Sequence, residues 1–136
     1  MKRFLILLLC IGMVQSAFSR NTDERMVDSL KMVIPNMAGE AKVNALNALC
    51  YALIQTNDYL EAEKYATEAF ELSQQLTYPI GLADAHDNQG LVFQSKYDYT
   101  NAMKQFVEAL KLRNQQGDQK GIATSKNNIG KVFFLQ

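Results

Sequence analysis

The chain has 136 residues, 48% hydrophobic and 21% charged, with 14 basic residues against 14 acidic ones. That is enough for one small globular domain and excludes a disordered chain, and so even a charge balance excludes a surface built to attract nucleic acid or an anionic membrane. Two cysteines exclude a disulfide framework.

The first predicted element is MKRFLILLLCIGMVQSAFSR, with basic Lys2 and Arg3, an apolar run from Phe4 to Val14, and the small-residue pattern Ala17-Phe18-Ser19. This is the pattern of a secretory signal peptide over 1–19, with cleavage expected near Ser19. Its apolar run falls short of the roughly 20 residues that a bilayer-spanning helix needs. A retained membrane anchor is one alternative, and lipidation at Cys10 after Leu7-Leu8-Leu9 is another, although Leu9 is large for such a box. Processing would leave 12 basic and 14 acidic residues, with Cys50 as the one cysteine. The expected location is periplasmic or secreted, with no membrane contact after cleavage.

The segment 20–42 predicts a leading helix from about Asp23 to Val33, ended by Pro35 and covering the first hairpin after it. From residue 43 the sequence repeats itself at an offset of 40. Asn57-Asp58-Tyr59 falls on Tyr97-Asp98-Tyr99, Ala62 on Ala102, Ala69 on Ala109, Leu72 on Leu112, and Gly81 on Gly121. ADAHDNQGLVF likewise matches the chain's closing stretch, pairing Ala83 with Ala123, Asn88 with Asn128, Gly90 with Gly130, Val92 with Val132 and Phe93 with Phe133. A period of this size marks an array of supersecondary units. Apolar residues within each unit have helical spacing: Leu46, Leu49 and Leu53 in its first helix, Ala62, Tyr65, Ala69 and Leu72 in its second. Each unit is a helical hairpin, so the predicted fold is all-α, with units 43–82 and 83–122 and the first helix of a third over 123–136. Asp58 with Glu61 three positions later reads as a capping box. The second helices are predicted to end near Gln75 and Gln116, the latter before a glycine suited to a left-handed cap.

The pattern Ala-x4-Gly-x2-Phe, then Asp-Tyr-x2-Ala, Phe106, Ala109 and Leu112 resembles the tetratricopeptide repeat over about 43–136. The resemblance implies an α-solenoid of antiparallel hairpins. In such a fold Cys50, Gly90, Gly130, Ala62, Ala102, Ala69, Ala109 and Phe106 would form the helix-packing signature. Leu46, His86 and Lys126 stand where the family has a large aromatic, and Cys50 stands in for a glycine. The 40-residue period is longer than the family's usual one and is similar to the arrays of kinesin light chains, with longer second helices expected to supply the extra residues. With its signal peptide and leading helix, the chain also resembles the exported sensory segments of Bacteroidetes sensor kinases and helix-turn-helix regulators.

Nothing in the sequence assembles a catalytic, metal or cofactor site. His86 has no second ligand at a metal-binding spacing and reads as a packing residue, and Cys50 reads as a small buried hydrophobe. No enzyme activity and no cofactor are expected. The polar residues of the first helices form ladders one repeat apart: Asn47, Asp87 and Asn127; Ala48, Asn88 and Asn128; Tyr51, Leu91 and Lys131. The resemblance implies that such a row lines a concave face and contacts peptide, so Asn47, Tyr51, Asp87, Asn88, Asn127, Asn128 and Lys131 are the candidate groove residues. The alternative is that the asparagines bond between repeats and fix the stacking.

Two functions remain open: a non-enzymatic module that binds a protein or peptide segment, and the sensory part of a longer kinase or DNA-binding regulator. In the third unit Ile129, Val132 and Phe133 are expected to lie bare for want of a covering helix, and to promote self-association through the C-terminal helix.

Overall fold

The structure is a computed structural model, and it describes residues 22–136. The predicted signal peptide, its cleavage site and Cys10 lie outside the described residues. Among those described, the chain is all-α, with no strand. Helix α1 covers 22–33 and ends in a short 3-10 turn, Ile34–Asn36, that carries Pro35. Five long helices come next: α2 Gly39–Gln55, α3 Tyr59–Gln75, α4 Pro79–Ser95, α5 Tyr99–Gln116 and α6 Gln119–Leu135. Among the described residues no helix is long and apolar enough to cross a membrane.

These five helices begin 20 residues apart, so the 40-residue sequence repeat divides into two helix-turn units of equal length. The second helices are not the longer ones, contrary to expectation. Helices α2, α3, α4 and α6 have 17 residues each and α5 has 18, so both helices of a unit carry the added length.

One turn geometry recurs at all four connections. Asn57, Thr77, Tyr97 and Gly117 each take a left-handed conformation, with φ of 63°, 52°, 62° and 69°. The residue after each donates its N–H to the carbonyl five positions back: Asp58 to Leu53, Tyr78 to Ser73, Asp98 to Phe93 and Asp118 to Arg113, at 2.9–3.0 Å. This is a Schellman termination, which satisfies the last carbonyls of a helix and reverses the chain within three residues. Helix starts are then capped by Asp58, Asp98 and Asp118, whose carboxylates accept from the N–H of Glu61, Asn101 and Gly121. The expected capping box is only half made. Glu61 bonds Lys31 of α1, and the Asp58 N–H is already committed to Leu53.

Helices α2, α4 and α6 lie in one layer, α2 touching α4 and α4 touching α6, while α3 and α5 fill the spaces behind them. The core forms in two clusters. The first joins Val27 and Ile34 to Leu46, Leu49, Leu53, Ala62, Ala66 and Ala69, and it extends to Ala85 and Val92 of α4. Its Val27 and Ile34 come from α1 and the turn after it, which pack against the first hairpin. The second cluster centres on Ala102, Phe106 and Val132.

Within the hairpins, small residues set the helix spacing. Ala62, Ala69, Ala102 and Ala109 are fully buried. A Cβ at Gly90 would overlap the ring of Phe106, which is itself fully buried. Forty residues earlier the pair is Cys50 and Ala66: the side chain lost from α5's counterpart is partly restored on α2, where Cys50 donates to the Ala62 carbonyl at 3.2 Å. Gly130 is the exception in the packing signature, exposed with nothing near its Cβ position.

The C-terminal helix departs from expectation. Val132 is fully buried and Ile129 packs against the second cluster, so neither is bare. Helix α6 turns this side toward α5 and α4 and leaves Phe133 and Phe134 exposed, at 69% and 90%. The surface open to the expected self-association narrows to these two residues and Leu135.

The packing and the turns can each be tested by substitution. Gly90→Cys should cost about 1–3 kcal/mol by overpacking, and Phe106→Ala about 3–5 kcal/mol. The double variant copies the 50/66 pair and should cost less than the sum in chemical denaturation; additive losses would mean the two side chains do not share one space. At the turns, Thr77→Gly should raise stability by about 0.5–1 kcal/mol and Gly117→Thr should lower it by a similar amount, because a left-handed residue with a Cβ costs about 1–2 kcal/mol against the entropy glycine loses on folding. Urea midpoints moving the other way would contradict the turn geometry.

Candidate binding groove

Because α2, α4 and α6 run parallel in one layer, equivalent positions of successive units fall side by side on its open face. The result is a groove of about 550 Å³. It is lined by Asn47, Tyr51, Asp87, Asn88, Asn127, Asn128 and Lys131, which are all seven candidate groove residues, together with Asn44, Gln55, Asp84, Leu91 and Arg113.

Asn47, Asn88 and Asn128 do not stand free in it. Asn88 Nδ2 donates to both the carbonyl and the side-chain oxygen of Asn47 at 3.1 Å, and Asn47 Nδ2 donates to the Gly81 carbonyl at 3.0 Å. Asn128 Nδ2 donates in the same diagonal sense, 41 residues back, to Asp87 at 3.4 Å. All three asparagines are buried. Their bonds tie each first helix to the next, as a structural ladder requires. Ala48 occupies the same place on α2, where the described residues include no earlier first helix to reach. Tyr51, Asn127 and Lys131 are exposed toward the groove.

Beneath the groove sits a charged cluster that sequence reasoning missed. Arg113 of α5 is buried, and its guanidinium donates to Asp84 at 2.7 Å, Asp87 at 2.8 Å and Asp118 at 2.9 Å. Asp87 also accepts from Ser125 Oγ at 3.1 Å. Burial pushes the Asp84 and Asp87 carboxyls above the usual carboxylate range, with Arg113 only partly offsetting it. Asp118 is held below that range, first by the Gly121 N–H and then by Arg113. The Nε of Arg113 is buried without a partner.

The first unit builds the same place from neutral groups. Ser73, Asn44, Asn47 and Tyr78 stand 40 residues before Arg113, Asp84, Asp87 and Asp118. Ser73 bonds within its own helix at 2.6 Å, and Tyr78 Oη donates to Asn44 Oδ1 at 3.2 Å. Gly81 and Gly121 serve both versions, since a Cβ there would overlap the Tyr78 ring in one and the Arg113 guanidinium in the other. The concerted change from four neutral residues to four charged ones was the available sequence signal.

The remaining candidates are structural. His86 shares a 2.7 Å hydrogen bond with Gln105 and meets the edge of Phe70, so it packs between α3 and α5. Cys50 is buried, and desolvation raises its thiol to about 12, far from a reactive thiolate. No group of three or more His, Cys, Asp and Glu side chains among the described residues is placed to hold a metal ion. Comparison with protein-family models, with curated proteins and with solved structures gives no significant match.

Removing Arg113 should be severe and pH-dependent. Arg113→Met leaves buried carboxylates unpaired and should cost about 3–5 kcal/mol at neutral pH. Asp84 and Asp87 have folded pKa values above their unfolded ones, so the folded state binds the extra protons and their ionisation weakens stability as pH rises through that window. The penalty of Arg113→Met should therefore shrink as pH is lowered toward the carboxylate range, measured by denaturation at a series of pH values. The triple change Asp84→Asn, Asp87→Asn, Arg113→Ser, which transplants part of the first unit's neutral set, should recover most of the loss. A penalty independent of pH would mean that the cluster's charges do not matter.

Proposed function

We propose that this chain is a tetratricopeptide-like α-solenoid that acts, without catalysis, as an exported interaction module and holds an extended protein or peptide segment in the groove across α2, α4 and α6. One observation carries the reading: every groove residue expected from the repeat register lines one continuous depression. A chain segment laid across it would meet exposed Tyr51 and Lys131 and half-buried Leu91 on one side of the buried asparagine ladder, with polar Asn127 beside it. The ladder holds the three helices in register and Tyr51 supplies a large amphipathic contact of the kind that dominates recognition surfaces.

The proposal separates residues that hold the groove from residues that touch the ligand. Peptides selected from a displayed random library against the chain should bind at least tenfold more weakly when Tyr51 and Lys131 are both changed to alanine, with the melting temperature unchanged. Asn47→Ala and Asn88→Ala should instead lower the melting temperature, each removing buried interhelix hydrogen bonds worth about 1–3 kcal/mol. Failure to select any peptide, or selected peptides indifferent to Tyr51 and Lys131, would overturn the groove assignment.

A further inference from the structure

We propose that the groove selects a segment bearing a lysine or arginine side chain, and that Asp84 is the carboxylate that receives its cationic head. This rests on the groove reading above and adds a chemical requirement to it.

Three carboxylates surround one guanidinium, and they are not spent equally. Asp118 is not among the groove-lining residues; it caps α6 through the Gly121 N–H and holds Arg113 Nη1. Asp87 is buried, with one oxygen bonded to Arg113 and Ser125 and the other within reach of Asn128 and Ser125. Asp84 differs from both. It offers Oδ1 to Arg113, its side chain is 40% exposed, and it lines the groove. The charge that Arg113 leaves uncompensated is thus presented to whatever enters the groove at Asp84.

No groove residue nearby neutralises it. The positions equivalent to Asp84 on the flanking helices are Asn44 and Thr124, both uncharged and both in the lining. The groove's exposed cation, Lys131, lies seven residues beyond Thr124 on α6, about 10 Å along the helix, where solvent screening leaves little of its field. Leu91 and Tyr51 stand at the Lys131 level and offer apolar surface to the rest of the segment. Ligand ammonium or guanidinium donors at Asp84 would make charge-assisted hydrogen bonds in a partly desolvated site. The acidic pair occurs in the second unit alone, so the preference should fall at one position of the ligand.

The test uses an array of random nonapeptides, acetylated at the N-terminus and amidated at the C-terminus so that only side chains can supply a cation. Lysine or arginine should be preferred at one position by about tenfold or more over glutamine or leucine. Asp84→Asn should abolish that preference while binding through the rest of the peptide persists, and Asp84→Glu should keep part of it. Should Asp84→Asn not fold, the unaltered protein decides the matter: acetylating the preferred lysine should weaken binding by about tenfold, and unchanged affinity would overturn the inference. Peptides that bind with no basic preference, or with one that survives in a folded Asp84→Asn, would overturn this proposal and leave the groove reading intact. An array with no binding peptide would remove the groove reading itself.

Discussion

The left-handed turn is the constraint on which the rest of the molecule depends. A helix of 17 residues is about 25 Å long, and a Schellman turn returns the chain in three more, so each helix starts 20 residues after the last. That constant length keeps alternate helices parallel and in register. Only because α2, α4 and α6 start at equivalent places can Asn88 reach Asn47 and Asn128 reach Asp87 with the same 41-residue offset. A turn one residue longer would rotate the next helix by about 100° and carry its polar ladder out of the groove. The chain accepts strain for this: two of the four left-handed residues are Thr77 and Tyr97, neither of which favours that conformation.

Much of this was legible because packing rules act on residue size and spacing. The alanines at 62, 69, 102 and 109 and the glycine at 90 mark close helix approach, and the polar break at 56–58 marks a turn. The structure buries those residues and turns there. Less legible was what each repeat does with its variable positions. The sequence shows Asn47, Asn88 and Asn128 in a row, yet whether an amide points to a ligand or to the next helix is a matter of a few ångströms that spacing does not resolve. The expected bare stripe on α6 fails for a related reason. Helical periodicity identifies an apolar face but not its neighbour, and Val132 faces back into the second core cluster, with the exposed face one position further on.

Arg113 shows a different limit. An arginine at the polar end of α5, beside Asn114, Gln115 and Gln116, reads as solvated surface, and burial is the costly and therefore unexpected choice. Its place becomes intelligible only when four positions are compared between the units together: Ser73 with Arg113, Asn44 with Asp84, Asn47 with Asp87, Tyr78 with Asp118. Neither Arg113 nor Asp87 is tolerable alone, since a buried guanidinium needs carboxylates and a buried carboxylate needs a cation. These two at least change together, and the glycine that makes room for Arg113, Gly121, already has its counterpart Gly81 in the neutral version.

That coupling also bears on how the groove divides its work. A neutral ladder of amides would satisfy itself and present an indifferent surface, which suits the first unit, where Asn44 is occupied by Tyr78 and Asn47 by Asn88. The second unit needs only one positive charge to fix α4 against α5 and α6, but carries three negative ones around it. For stability alone, the arrangement is inefficient: desolvation weighs on Asp84 and Asp87, and a neutral alternative to nearly all of it exists one unit away in the same chain. An excess of negative charge beside a groove, turned outward at the carboxylate that lines it, adds nothing that holding the helices together requires, and it is the feature that the proposed cationic ligand would use.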